Sequence, residues 1–403
     1  MAQTDQGPRP ARPSGFWVFA AVLAVLFMGA GAPTPLYVVY EREYDFSAIV
    51  LTLVFAVYVV ALLAAFVLAG RLSDHIGRRP VLLLALPINI AAALVFLVAD
   101  ATVWLLIART VQGVAVGLAT AALSASLLDT EPEGHRGRGA VVSSSAPLAG
   151  LAVGALGSAV LVQLGPDPTR LVFWVLTAAL VASTIAVALT PEPAPAHGQW
   201  RAALRPQVSV PRAIRPTFAA VAPCMIATWA LGGLYLSLGP SLTRMLTGSS
   251  SYVVGALVVV ALVGTGATTG ALTYAIAPER RMVGGTLLVV AGVVVTGLAI
   301  ATRSTVLLFA GSTVAGLGFG PSFAGVFALI TNRAEAHERA GLISAVYVVS
   351  YSAFSIPAVL AGLASTEWGL RPTALVYATA VVLLATAALV AYRRVAGRTP
   401  AVA

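Results

Sequence analysis

Twelve long, predominantly apolar stretches constrain this chain more than any other feature. They fall near 16–40, 49–70, 80–99, 102–128, 139–164, 170–190, 216–240, 251–276, 283–302, 304–331, 341–364 and 372–392. A spanning helix needs roughly 20 mostly apolar residues. A helix satisfies its own backbone N–H and C=O groups inside hydrocarbon, so each stretch is expected to cross a membrane as a helix. Apolar residues make up 59% of the chain and charged residues 10%. An ordinary soluble domain is about 45–50% apolar and about 25% charged. That contrast excludes a soluble protein with a large core. The first stretch is too long for a signal-peptide core, and eleven more follow, so cleavage is not expected. The predicted fold class is an all-α polytopic membrane protein with short loops and no sizeable extramembrane domain.

The charges set the expected topology. All 24 basic residues are Arg, and the formal net charge is +9. These charges sit in loops, which argues against nucleic-acid binding. Eighteen of them fall in segments on the side of the N-terminus, and five, Arg42, Arg170, Arg244, Arg303 and Arg371, fall on the other side. Arg109 alone lies within a span. Positive charge is retained on the cytoplasmic side, so both termini are expected there. The absence of Lys beside abundant Ala, Gly and Arg suggests a high-GC bacterial genome, and hence the bacterial inner membrane. The expected layout is a cytoplasmic tail (1–15), a first six-helix half (16–190), a linker (191–215), a second six-helix half (216–392) and a cytoplasmic tail (393–403). In the linker, Arg201, Arg205, Arg212 and Arg215 suit a cytoplasmic face rich in anionic lipid. A plain tether that also fixes topology fits them equally well.

Between the second and third stretches lies Gly70-Arg71-Leu72-Ser73-Asp74-His75-Ile76-Gly77-Arg78-Arg79-Pro80. Gly70 and Gly77 permit close approach of two helix ends, and Asp74 is placed to pair with Arg78. The segment resembles the loop between spans two and three of the major facilitator superfamily. That resemblance implies a secondary active transporter working by alternating access, with this loop as a conformational latch on the cytoplasmic side. Asp129, at the end of span four, matches the acid that commonly joins such a latch beside Asp74, Arg78 and Arg79. Ala108-Arg109-Thr110-Val111-Gln112-Gly113 resembles the superfamily's span-four motif, whose Arg and Gln are implicated in proton transfer. Arg109 lies about six residues from the outer end, roughly 9 Å deep at about 1.5 Å per residue. An embedded functional group and a side chain snorkelling to the interface are both compatible with that depth. Gly150, Gly154 and Gly157 in span five partly resemble a glycine-rich motif of drug exporters. The Pro expected after the middle Gly is replaced by Ala155. The resemblance is strongest to the twelve-span drug/proton antiporters.

A shift of 203 residues overlays the chain on itself. Thr110, Gly113, Gly117 and Ala121 fall on Thr313, Gly316, Gly320 and Ala324, and Arg78 falls on Arg281. Six spans map onto six of the same direction, as in the major facilitator fold. An inverted five-helix repeat with broken helices is the rival arrangement, and the repeat argues against it. In the second copy of the loop, Thr273, Ala277 and Arg280 replace Gly70, Asp74 and Gly77, so the latch is expected to rest on the first half. Gly113, Gly117, Gly150, Gly154 and Gly157 are expected to serve helix packing.

Corresponding interruptions by Gly and Pro point to a transporter's site. Here they are Gly31–Tyr37 and Leu234–Pro240. Candidates to line a cavity between the halves are Thr34, Tyr37, Tyr58, Trp229, Tyr235, Ser237, Phe323, Tyr347 and Tyr351, with Tyr40 and Phe319 nearby. Coupling candidates are Arg109, Gln112 and Glu41, the last at the outer end of span one and the acid nearest to where it could approach Arg109. All 15 acids can be placed in loops or at span ends. A cavity without a carboxylate disfavours simple exchange of protons for cations. The single cysteine, Cys224, excludes an intramolecular disulfide and a cysteine-based metal cluster. His75, His135, His197 and His337 lie in loops without metal-ligand spacing, and no catalytic set can be drawn at one depth. No cofactor is expected and no enzyme activity. The expected partners are a small-molecule substrate, protons if the resemblance extends to coupling, and lipid, with the monomer as functional unit. Efflux of neutral or weakly anionic amphipathic molecules is the leading reading. Import of a metabolite by the same fold is the alternative. A non-transporting membrane sensor or scaffold, expected to carry a sizeable soluble domain or long tail, is the alternative of another class.

Overall fold

In the computed structural model the described residues are 13–45, 47–134, 137–194, 198, 208–335 and 338–396. The N-terminal tail up to residue 12, the end of the C-terminal tail, and the linker residues Arg201 and Arg205 lie outside them. Twelve helices are long and apolar enough to cross a membrane. In order, spans one to twelve are Gly15–Glu43, Ile49–Ala69, Arg78–Leu97, Thr102–Asp129, Arg138–Leu164, Leu171–Leu189, Arg215–Ser237, Tyr252–Leu272, Pro278–Thr302, Thr305–Thr331, Gly341–Trp368 and Leu370–Arg394. Because their number is even, both termini leave at the same end of the bundle, called here the termini end.

Local chemistry explains where several helices stop or bend. Span one consists of Pro13–Gly31 and Pro33–Glu43, since Pro33 and Pro35 have no N–H to continue the ladder. Span seven is broken in the same way, into Arg215–Ser237 and Gly239–Thr247, with Pro240 in the first turn of the second piece. Span eight contains a π-helical turn at Val260–Gly264. Ser251 and Ser304 cap spans eight and ten by accepting from the amides of Val254 (3.4 Å) and Leu307 (3.3 Å). The loop after span two, expected as a turn, contains a one-turn helix, Leu72–Ile76.

Small residues fix which helices touch. A Cβ placed on Gly113 would lie 2.8 Å from the Ala61 Cβ and 3.0 Å from the Leu62 amide nitrogen. One on Gly117 would lie 3.0 Å from the Ala65 Cβ. Span four is therefore seated directly on span two. The second half repeats this contact: Gly316 and Gly320 abut the backbone of span eight at Leu262 and Gly266. The 203-residue repeat is thus also a repeat of packing. Gly150 and Gly154 seat span five on span one, against Phe27 and Met28. Gly157 departs from the expectation of a packing glycine. It is exposed, and no atom lies within 4 Å of a Cβ built there. One apolar core runs from Phe16 and Leu23 of span one to Phe319 and Phe354 of spans ten and eleven.

Candidate functional site

Two constellations stand out, one at the termini end and one in the middle of the bundle. At the termini end Arg78 opens span three and gathers the loop around it. Its guanidinium pairs with Asp74, donates to Asp129 Oδ2 at 3.1 Å through Nε, and donates to Ser73 Oγ at 3.1 Å. The structure thus brings Asp74, Arg78 and Asp129 together. It adds Glu192, which the sequence reading did not single out. That carboxylate accepts from the backbone amides of Arg78 (2.7 Å) and Arg79 (3.0 Å), capping span three from the start of the linker. A carboxylate on unpaired N-terminal amides is stabilised by their partial positive charge. Gly77 makes the turn into span three at φ +99°, ψ 156°, a backbone conformation suited to glycine. A Cβ on Gly77 would also come within 2.9 Å of Glu192 Oε2. A Cβ on Gly70 would collide with the Phe66 carbonyl oxygen of its own helix and lie 3.8 Å from the Ala121 Cβ. Arg79 donates to the Ala188 carbonyl at the end of span six. Among the described residues the second half shows no ion-paired equivalent. Arg281, the counterpart of Arg78, is buried with its Nε unpartnered, 5.9 Å from the Tyr274 ring. Both ion pairs found among the described residues belong to Arg78.

In the middle of the bundle Arg109 is turned inward and is 1% exposed, so it does not snorkel. Its Nη1 donates to Gln112 Oε1 at 2.6 Å and reaches the Ala30 carbonyl at 3.5 Å. Gln112 in turn donates to the Gly29 carbonyl at 2.9 Å. The guanidinium carbon stands 4.1 Å from the centre of the Tyr58 ring. The Gly- and Pro-rich break in span one thus supplies the carbonyls that receive the span-four pair. Thr34 and Tyr37 are buried at that break, and Tyr37 lies within electrostatic reach of Arg109. Glu41 does not approach Arg109. The two form no ion pair, and the cations acting on Glu41 are Arg244 and Arg42, because the second piece of span one carries it out to the far end. Arg109 is left without a counter-charge among the described residues.

Beside this pair, aromatic rings fill the seam between the two sets of six spans. Trp229 of span seven meets Phe323, Tyr351 and Phe354 edge-on, with ring centres 5.1, 5.2 and 5.6 Å away. Across the seam, Phe55 lies 5.0 Å from Phe354, and Phe66 lies 4.8 Å from Tyr347. Tyr58 lies within electrostatic reach of Tyr351, so the Arg109 site and the Trp229 cluster adjoin. Of the expected cavity candidates, Trp229, Phe323, Tyr347, Tyr351 and Tyr58 come together here. They pack on one another across the seam instead of lining an open chamber. Gln163 of span five accepts from Ser251 Oγ (2.6 Å) and from the Val253 amide (3.3 Å) at the far end. At the termini end Gly137 abuts Tyr274. Tyr235 and Ser237 do not reach the seam. The Tyr235 hydroxyl is bonded to Ser312 (2.9 Å) and Thr296 (3.2 Å), and Ser237 donates to its own helix at Gly233 (2.7 Å). Ser312 is the repeat counterpart of Arg109, so a neutral hydroxyl cluster replaces the cation in the second half. Tyr40 stacks on Tyr44 at 5.6 Å, and Phe319 packs beside Gly232. Phe55, Phe66, Phe327 and Phe354 were missed. Their signal was helical spacing: Phe55, Tyr58 and Phe66 share one face of span two, and Phe319, Phe323 and Phe327 recur every four residues in span ten.

Two sets of six spans related by a repeat, with an aromatic seam between them and a buried polar pair beside it, are the layout of a membrane transporter. The chain belongs to the Major Facilitator Superfamily, whose family model matches residues 19–356. Among solved structures it is similar to a bacterial homolog of the human lysosomal transporter Spinster. The TM-score is 0.75 and the identity 15%, over 98% of this chain and 100% of that one. It is also similar to the human organic anion transporter MFSD10, with TM-score 0.70 and 16% identity over 94% and 100% of the two chains. These likenesses concern the fold. By sequence it is 28% identical over 181 residues to the multidrug transporter AQR1 of Candida glabrata, over 44% of this chain and 30% of that protein. It is 32% identical over 88 residues to the multidrug resistance protein MdtL of Klebsiella pneumoniae, 22% of each chain. The aligned stretches span less than a third of those relatives.

Proposed function

We propose that this protein expels neutral or weakly anionic amphipathic small molecules across the bacterial cytoplasmic membrane by alternating access, with both termini in the cytoplasm. The observation that carries the reading is Arg109: a buried cation without an acid partner, adjoining an aromatic seam. A charge at the centre of a spanning helix costs about 2.5–3.5 kcal/mol on insertion scales. The Tyr58 face offsets about 2 kcal/mol of such a cost when the cation is desolvated. A cationic substrate would add a second unpaired charge of the same sign. An anion would relieve the first one. The aromatic seam offers apolar surface to a flat or branched hydrocarbon body. The two multidrug relatives agree with an efflux role. The Arg78 cluster then acts as the latch that holds the cytoplasmic end shut, released when the halves rock to open inward.

Inverted membrane vesicles energised by respiration test this directly. Vesicles containing the protein are expected to accumulate neutral or anionic antibiotic-like amphiphiles above control vesicles. Accumulation confined to quaternary ammonium dyes would reject the reading.

A further inference from the structure

We propose that the substrate itself carries the charge that drives its transport: an organic anion that neutralises Arg109 and moves down the membrane potential, with no proton carried by a protein carboxylate. This rests on the efflux reading above, narrows it to its anionic substrates and assigns them a driving force. Arg109 and Arg281 are the buried charged side chains among the described residues, and Arg281 lies in the first turn of span nine at the termini end. Every described Asp and Glu is exposed or half-buried and sits in a loop or at a helix end. Glu41, the acid at the outer end of span one, lies within electrostatic reach of Arg244 and Arg42. A proton exchanger needs a group inside the barrier that alternates between protonated and ionised forms. A guanidinium stays charged and cannot serve. Buried phenols such as Tyr37 and Tyr58 remain neutral near neutral pH, with an ordinary pKa of about 10.

Unpartnered buried donors at Arg109 and in the adjoining seam point the same way. Arg109 Nε, the hydroxyl of Tyr37 beside it, and Trp229 Nε1 among the seam rings are all buried and all lack a hydrogen-bond acceptor. Each can donate, and what they lack is an acceptor. A carboxylate, sulfonate or phosphate group would supply it, with its apolar body lying among the Trp229, Tyr351 and Phe354 rings. Whatever charge the protein moves when loaded it moves back when empty. The net charge per cycle is therefore the substrate's own. An inside-negative potential pushes anions outward, so an exporter of anions needs no proton gradient. About 100 mV is worth about 2.3 kcal/mol per charge, which corresponds to about 50-fold in concentration.

The test uses the full chain in liposomes, with voltage clamped by potassium and valinomycin. The probe is 1-naphthalenesulfonate, an anion at every working pH. At equal pH and about 100 mV, about 50-fold accumulation on the positive side is expected. At zero voltage a pH gradient is expected to produce none. Arg109→Gln should abolish the voltage-driven accumulation, while Arg109→Lys, which keeps the charge but not the planar fork, should retain part of it. Thermal melting followed by a maleimide dye on Cys224 verifies that both variants are folded. Accumulation that follows the pH gradient at zero voltage would overturn the driving force and leave the anion reading standing. Saturable transport of 1-naphthyltrimethylammonium, with no protein-dependent movement of the sulfonate, would overturn both.

Discussion

Gly77 and Gly157 show how differently one residue type is used within a single chain. Gly77 holds a positive φ beside the Glu192 carboxylate, whereas Gly157 lies in a regular helix with free space around it. Gly77→Ala should therefore cost about 1–3 kcal/mol, the range for a residue forced into a backbone region that glycine alone occupies readily. Gly157→Ala should be neutral or stabilising by about 0.5–1 kcal/mol, since it removes glycine's excess freedom from a helix. The buried thiol of Cys224 offers the measurement, because a maleimide dye reaches it when the bundle opens on heating. Equal melting temperatures for the two variants would show that the turn tolerates a side chain. Arg109 is the other residue whose surroundings matter more than its type. The same guanidinium that would snorkel from a shallow position is held inward by Gln112, the Ala30 carbonyl and the Tyr58 ring.

At the level of elements, the start of span three is where the loop, span four and the linker converge. Exposed ion pairs such as those of Arg78 contribute only about 0–1 kcal/mol each to stability. Their use is in holding one arrangement of helix ends against another. Glu192 joins that arrangement through two backbone amides, so Glu192→Ala should loosen the termini end without unfolding the protein. A cysteine at Tyr347, beside Phe66 on the closed seam, reports this when Cys224 is replaced by Ser. Labelling of that cysteine from the termini side should rise several-fold in the Glu192→Ala background. Glu192→Gln, which keeps one of the two acceptor oxygens and loses the charge, should give a smaller rise. Unchanged labelling in both would reduce Glu192 to a helix cap with no part in the latch. The glycines of spans four and five act on a different link. They decide which helices touch, and they do so in both halves: span four on span two, and span ten on span eight.

For the whole molecule, the arginine asymmetry and the even number of spans together give a testable topology. A cysteine at position 43 should react with an impermeant maleimide from outside intact cells, and one at position 205 should not. The opposite pattern would invert the membrane orientation and, with it, the assignment of the Arg78 cluster to the cytoplasmic side. The two sets of spans touch at both ends, at Gln163 with Ser251 on one and at Gly137 with Tyr274 on the other. Between them ring packs directly on ring, so the aromatic candidates meet each other instead of a chamber.

The sequence alone was enough for the twelve helices, their repeat and the family. These follow from chain-local quantities: the length of an apolar run, the offset between two similar runs, and the order of residues in one loop. It also located Arg109, Gln112 and the Asp74, Arg78 and Asp129 cluster, because a charge in an apolar run and a charged loop between two such runs are visible without coordinates. Tertiary structure decided which way each side chain turns and what it meets. Tyr235 spends its hydroxyl on Ser312, Glu41 is carried away from Arg109, and Glu192 arrives at span three from more than a hundred residues along the chain. The physical reason is that hydropathy fixes a residue's depth in the membrane. Its rotation about the helix axis, and the neighbour it finds there, are set by how small residues let the helices pack.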